Sequence, residues 1–236
     1  MSAGPNAAGP FYRRLFIPEA NLERICSEAL ASVDLLPETP GPVRIERFIY
    51  LHFSIEEEYE AMPDHIMGCA KFTRQGLRRI IVNRQLAEQD DPVSKVRVRS
   101  TLAHEAGHGL FHAGLFVEKL SLEAEGHLFG NAAAFNSVTG EGFVCRAEAD
   151  IERVPHFEWW EYQANSAMAA LLLPKHLIIQ AARARLPMVL AGAGSFDSRV
   201  REAEREIAAV FNVSRRMVSI RLGKWWVEQA HQPSLF

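Results

Sequence analysis

In His104-Glu105-Ala106-Gly107-His108, two imidazoles stand four residues apart with a carboxylate just after the first. On an α-helix, residues four apart share a face, about 6 Å above one another. Both rings can then hold one metal ion. Glu105 is rotated about 100° around the axis, so its carboxylate falls aside of the pair. There it is placed to take a proton from water rather than to ligate. Two nitrogen ligands and a general base make the zincin arrangement of zinc-dependent hydrolysis. The plainer alternative is two core histidines with a surface glutamate, so the surrounding elements must decide.

Asp91-Pro92 reads as a helix N-cap followed by a first-turn proline. Val93, Val96, Leu102, Ala103, Ala106 and Leu110 then recur at roughly helical spacing. The pattern predicts a helix of about 20 residues with the motif late in it. The small pair Ala106-Gly107 lets a neighbouring backbone come close. A catalytic zinc needs three protein ligands and one open position. The metzincin pattern requires histidine at 114, where this chain has Gly114. His112 lies about 12 Å along the axis from His104, too far to share one metal. It reads as a hydrogen-bond partner of a ligand or as core. The better third ligand is Glu161, a charge that should not enter so apolar a helix unpaired. Asn165, four residues on, can hydrogen-bond Glu161 or a histidine Nδ1–H. Glu158, His127 and His156 remain rivals, as does a Glu161 that merely marks a solvent boundary. Tyr162 and His156 are candidate oxyanion donors.

The remaining elements predict an α+β protein: a small N-terminal β-sheet packed on a zincin-type helical core, then a helix-turn-helix-like pair. Residues 1–17 read as a flexible tail without the features of a signal peptide. A domain at 18–186, a linker at 187–198 and a helical region at 199–236 follow. Pro18 to Ser32 reads as a helix. Val43 to Phe53 has strand-like composition, and 55–59 is a short acidic segment. Ile66–Thr73 and Leu77–Asn83 flank Arg74-Gln75-Gly76 as a hairpin. Residues 114–155 show no sustained periodicity and read as a long functional insert, with room for a short helix or hairpin. Phe157 to Leu173 is an apolar helix stopped by Pro174, and Lys175 to Arg185 is another. A net charge of −3 gives no general case for nucleic acid. Nothing approaches the length of a membrane span. Three scattered cysteines, Cys26, Cys69 and Cys145, fit reduced thiols in a cytoplasm.

Three stretches resemble the ImmA/IrrE metallopeptidases. The first is His104-Glu105-Ala106-Gly107-His108 with His112. The second is Glu161-Tyr162-Gln163-Ala164-Asn165, running on to Leu171-Leu172-Leu173-Pro174. The third is Phe211-Asn212-Val213-Ser214 with Arg221-Leu222. The strand end Ile81-Val82-Asn83 is also similar, and the likeness runs from about Val43 to Leu222. The chain departs from the pattern at Met168 and Leu173 and in the long 114–155 insert. The resemblance implies a gluzincin-like centre in which His104, His108 and Glu161 hold zinc and Glu105 is the base. Manganese or another divalent metal is an alternative. It implies a protein substrate, a helix-turn-helix transcriptional repressor, in stress-response or mobile-element regulation. In proteases of similar fold an extended substrate pairs with the edge strand beside the metal. Ile81, Val82 and Asn83 are the expected edge here. A different class remains open: a DNA-binding or antitoxin-like regulator with a vestigial metal site. It draws on Arg199, Arg201, Arg205, Arg215, Arg216, Arg221 and Lys224. Cys145, within the insert, is a plain free cysteine or a thiolate able to fill zinc's open position.

Overall fold

The computed structural model describes residues 11, 13–125, 138–139, 142–146 and 158–231. Helices α1 (Glu19–Ser32) and α2 (Ile45–Phe53) come first. Strands β1 (Glu57–Glu60), β2 (Ile66–Thr73) and β3 (Gly76–Asn83) follow, then a single turn α3 (Arg84–Ala87) and the long helix α4 (Pro92–Ala124). After β4 (Val138–Thr139) and β5 (Gly142–Arg146) the described chain is helical: α5 (Trp159–Leu172), α6 (Lys175–Ala191), α7 (Phe196–Phe211) and α8 (Arg215–His231). The protein is α+β, with one mixed sheet in the order β1-β3-β2-β5-β4 set against α4. No described helix is long and apolar enough to cross a membrane.

Local chemistry explains most boundaries. Asp91 caps α4 by accepting from the amides of Val93 (2.9 Å) and Ser94 (3.1 Å). The β2–β3 hairpin turns at Gly76, whose φ of +110° suits glycine and strains other residues. Ser195 caps α7 through the Ser198 amide at 3.2 Å. Asn212 ends α7 in the left-handed conformation (φ +52°) that asparagine tolerates.

Several expectations need correction. Residues 45–53 are helical, although their aromatic and β-branched content reads as a strand. Ile45, Phe48 and Ile49 are buried at helical spacing. A strand would have sent Ile45, Arg47 and Ile49 to one face. The acidic segment is instead a strand, with Glu57–Glu60 pairing in parallel with Ile80–Asn83. Helix α4 continues to Ala124, well past the expected end, because Leu115, Phe116 and Lys119 remain buried on its inner face. The first eleven residues of the 114–155 stretch are therefore helix, and Gly142–Arg146 is a strand of the main sheet. Helix α6 runs through Pro187 to Ala191, leaving only residues 192–195 before α7. Arg199 braces that junction by donating to the carbonyls of Val189 (2.7 Å) and Gly192 (2.9 Å).

The main core joins α1, α2, β3 and α4 to the four C-terminal helices. Arg99 of α4 reaches the carbonyls of Val43 (2.9 Å) and Asn212 (3.4 Å), tying the α7–α8 turn to the same body. A second, aromatic core of Phe11, Phe72, Phe116, Phe143, Trp159 and Trp160 packs against the C-terminal half of α4. Phe11 is buried in it, so part of the expected tail is packed.

Candidate metal centre

The motif helix and its partner approach closely because Gly107 has no side chain. A Cβ there would lie 2.9 Å from Ala167 Cβ and 3.1 Å from the Ala164 carbonyl oxygen. This small-residue seam brings α4 against α5. It sets His104 and His108 opposite Glu161 and Asn165, as the two sequence motifs expect. His104 Nε2 and His108 Nε2 are 3.1 Å apart. Glu161 closes the triangle, with Oε2 3.1 Å from His104 Nε2 and Oε1 3.4 Å from His108 Nε2. Ligands held about 2.1 Å from a tetrahedral metal are separated by roughly 3.4 Å, so the set has the span of a metal's ligand shell.

Hydrogen bonds turn these atoms toward one another. The Leu15 carbonyl can only accept, so Gln163 must offer it Nε2, at 2.8 Å. Gln163 Oε1 then faces His112 Nε2 at 2.9 Å, and His112 must donate there. A neutral His112 consequently accepts at Nδ1, from His108 Nδ1 at 2.9 Å. Burial keeps His112 neutral, pushing its pKa down to about 3. His108 is left with a bare Nε2 lone pair. Asn165 Oδ1, 3.1 Å from His104 Nδ1, does the same for the other ring. Two imidazole lone pairs and a carboxylate thus converge on one point. Such a set repels itself unless a cation or a proton sits among it.

Charge behaviour agrees. Burial pushes the His108 pKa down to about 4. Burial also opposes charge on His104, but Glu161 overrides it and raises that pKa. Burial raises the Glu161 carboxyl in turn, yet the two imidazoles hold it well below the usual carboxylate range. The residues present therefore fit a divalent metal with two nitrogen ligands and one oxygen ligand. His104, His108 and Glu161 could hold such an ion.

Glu105 is fully buried beside this triangle, and neither carboxylate oxygen has a hydrogen-bond partner of ordinary geometry. Burial, helped by the Glu161 charge and opposed by His104, pushes its pKa up to about 8.

The opposite wall comes from the sheet. Ile81, Val82 and Asn83 do not form an edge. Ile81 and Val82 pair with Glu58 and Tyr59 on one side and with Cys69 and Gly68 on the other. Asn83 pairs with Glu60, and its side chain serves the hairpin and α3, donating to the Ile66 carbonyl at 2.9 Å and accepting from the Gln85 amide. The strand beside the ligand helix is β2. A Cβ at Gly68 would fall 2.6 Å from both the Ile81 carbonyl and Thr101 Cγ2. The far edge of β2 is covered by β5, running antiparallel with Ala70 opposite Phe143 and Gly68 opposite Cys145. The Phe143 ring stacks on His108, centroids 3.8 Å apart and planes at 15°. The Cys145 Sγ and ligand atoms of His104 and Glu105 all lie within 4.8 Å of one another.

Among the rivals, Glu158 is buried at the N-cap of α5 and is not one of the clustered groups. Tyr162 is 60% exposed. His127 and His156 lie outside the described residues. Sequence reasoning missed Gln163, whose burial in the apolar helix was the same signal that singled out Glu161. It also missed Phe143 and the Leu15 carbonyl, which carry no motif. Several of the C-terminal arginines are already engaged. Arg199 holds backbone carbonyls, and Arg205 pairs with Glu202. Arg215 pairs with Glu204, and Arg221 with Glu23. Set beside known proteins, the chain matches no family model and no curated protein.

Proposed function

We propose that the protein is a zinc-dependent endopeptidase that cuts a protein substrate, and that this substrate is a helix-turn-helix repressor of the kind the ImmA/IrrE resemblance implies. One observation carries the peptidase reading: a fully buried carboxylate with no side-chain hydrogen-bond partner among the described residues, Glu105, stands beside three convergent ligand atoms. A purely structural metal site has no use for that fourth group, and burying it with so little compensation is costly. When bound, zinc supplies Lewis acidity toward a peptide carbonyl and toward water. His104, His108 and Glu161 hold it. Asn165 and the chain His112–Gln163–Leu15 keep the two Nε2 lone pairs aimed. Glu105 accepts the proton of the attacking water and passes it to the leaving amine nitrogen, ending as it began. A cation beside it favours the ionised form this step requires. The alternative of a DNA-binding regulator is less favoured, because Arg199 holds backbone carbonyls and Arg215 and Arg221 pair with the buried Glu204 and Glu23.

The test incubates zinc-loaded protein with the repressor encoded beside its gene and maps any new N-terminus. Glu105→Gln, run in parallel, is expected to keep one zinc and lose cleavage by at least about 100-fold. Full cleavage by that variant would remove Glu105 from the chemistry.

A further inference from the structure

The sheet order places β5 on the side of β2 that would otherwise be the open edge next to the metal ligands. An extended peptide binding a sheet-edge cleft adds as a strand there. The position is filled by the chain itself, with Gly142–Cys145 running antiparallel to β2. Alternation along a strand sends Phe143 and Cys145 to one face. Phe143 lies flat on His108, and Cys145 reaches His104 and Glu105. Side chains two apart on β5 therefore sit over ligands four apart on α4. The pairing register shifts between Ile66 and Gly68, directly opposite Cys145. Bulges of this kind re-aim side chains beside active sites. Gly142 fixes the seat, since a Cβ there would overlap the Ala70 carbonyl oxygen and sit 3.1 Å from Lys71 Cα. Facing the thiol is Glu105, fully buried and with no side-chain hydrogen-bond partner among the described residues.

We propose that Gly142–Cys145 is a built-in occupant of the substrate cleft, with the Cys145 thiolate as fourth ligand of the metal, so that the folded chain is a closed, latent peptidase. The proposal rests on reading His104, His108 and Glu161 as the metal centre. Three nitrogen and oxygen ligands plus one thiolate close a tetrahedral shell. Ligation forms a metal–sulfur bond and releases the thiol proton to solvent. Opening breaks that bond, returns a proton to sulfur and exchanges the β5–β2 hydrogen bonds for those of a substrate strand.

The full chain is loaded with cobalt(II), and its absorption is recorded for the wild type, Cys145→Ser and Gly142→Val. The wild type is expected to show a sulfur-to-cobalt charge-transfer band in the near ultraviolet. Both variants should bind one cobalt and lack that band. In the zinc forms, a peptide hydroxamate should bind the two variants at least about tenfold more tightly than the wild type. Cys145→Ser is nearly isosteric and keeps the test valid if Gly142→Val does not fold. A wild type that binds cobalt without the sulfur band overturns the proposal. So does unchanged hydroxamate affinity in Cys145→Ser, or no cobalt binding at all. If the band and the affinities behave as expected but neither variant cuts a repressor, the latch stands and the peptidase reading falls. If the wild type cuts as fast as both variants, the latch falls and the peptidase reading stands.

Discussion

The helical wall of the site, α4 against α5, and the sheet wall, β2 with β5, face the same three ligand atoms but are held differently. On the helical wall the spacing of residues along each helix already places His104 above His108 and Glu161 one turn before Asn165. Packing has only to bring the two faces together, and Gly107 against Ala164 and Ala167 does so. On the sheet wall no short-range rule applies. Phe143 and Cys145 reach the site only because residues far apart in sequence pair as β2 and β5. The helical wall orders donors and acceptors through its own side chains. The sheet wall contributes an aromatic face and a thiol over them. One wall supplies the candidate ligands, and the other covers them.

Removing a ligand should break the helical wall most. His108→Ala is expected to weaken zinc binding well beyond the roughly 10–100-fold typical of outer partners. Metal content after dialysis against a weak chelator reads this directly. Retention of stoichiometric zinc would place the ion elsewhere.

The outer partners come next. His112→Ala leaves His108 Nδ1 and Gln163 Oε1 without their bonds and should cost about 10–100-fold in zinc affinity. Asn165→Ala is exposed and should fall near the lower end of that range. Competition titrations would show whether the two differ. Equal, negligible losses would mean that the relay does not orient the ligands.

Two glycines on α4 sharpen the packing argument by moving in opposite directions. Gly107→Ala gains helix propensity of about 1 kcal/mol but pushes on α5, and overpacking of about 1–3 kcal/mol should win. Its melting temperature should fall by a few degrees. Gly114→Ala meets nothing within 4 Å and should raise stability by up to about 1 kcal/mol. Thermal melts giving both changes the same sign would show that the seam is not tight.

The last effect is electrostatic and appears only as a dependence on pH. In the metal-free protein the folded pKa of Glu105, about 8, lies above its ordinary 4.5, and that of His104 is raised above 6.5. Between pH 6.5 and 8 the folded state thus holds protons that the unfolded state has lost, and stability falls as pH rises. Below 6.5, His108 and His112, with folded pKa values near 4 and 3, take up protons only when unfolded. Once both are mostly protonated in the unfolded state they outweigh Glu105 and His104, so stability falls again toward acid, leaving a maximum below pH 6.5. Zinc requires deprotonated ligands, so its presence should reverse the upper limb. Melting temperature against pH, with chelator and with zinc, checks this. A chelated protein whose stability rises from pH 6.5 to 8 contradicts it.

The misread elements share a cause. Residues 45–53 have strand composition but bury Ile45, Phe48 and Ile49 on one helical face, a choice made by the core they meet. The Leu77–Asn83 strand is expected as the edge by analogy with proteases of similar fold, but its parallel partner is an acidic segment with little strand signal. Arg79, paired with Glu58 and Glu60, makes that charged strand tolerable. Leu15 shows no chemistry in sequence, and it matters only because its carbonyl faces Gln163.

The sequence by itself determined the helix that carries the histidines, its Asp91 cap, the hairpin at Gly76 and the shared face of Glu161 and Asn165. Each rests on contacts within a few residues, where backbone geometry alone fixes which side chains share a face. Tertiary structure alone decided the tautomers of His104 and His108, the interior place of β3 and the seat of β5 over the candidate ligands. Those depend on which distant segments exclude water together, and helical or strand periodicity does not encode the choice of partner.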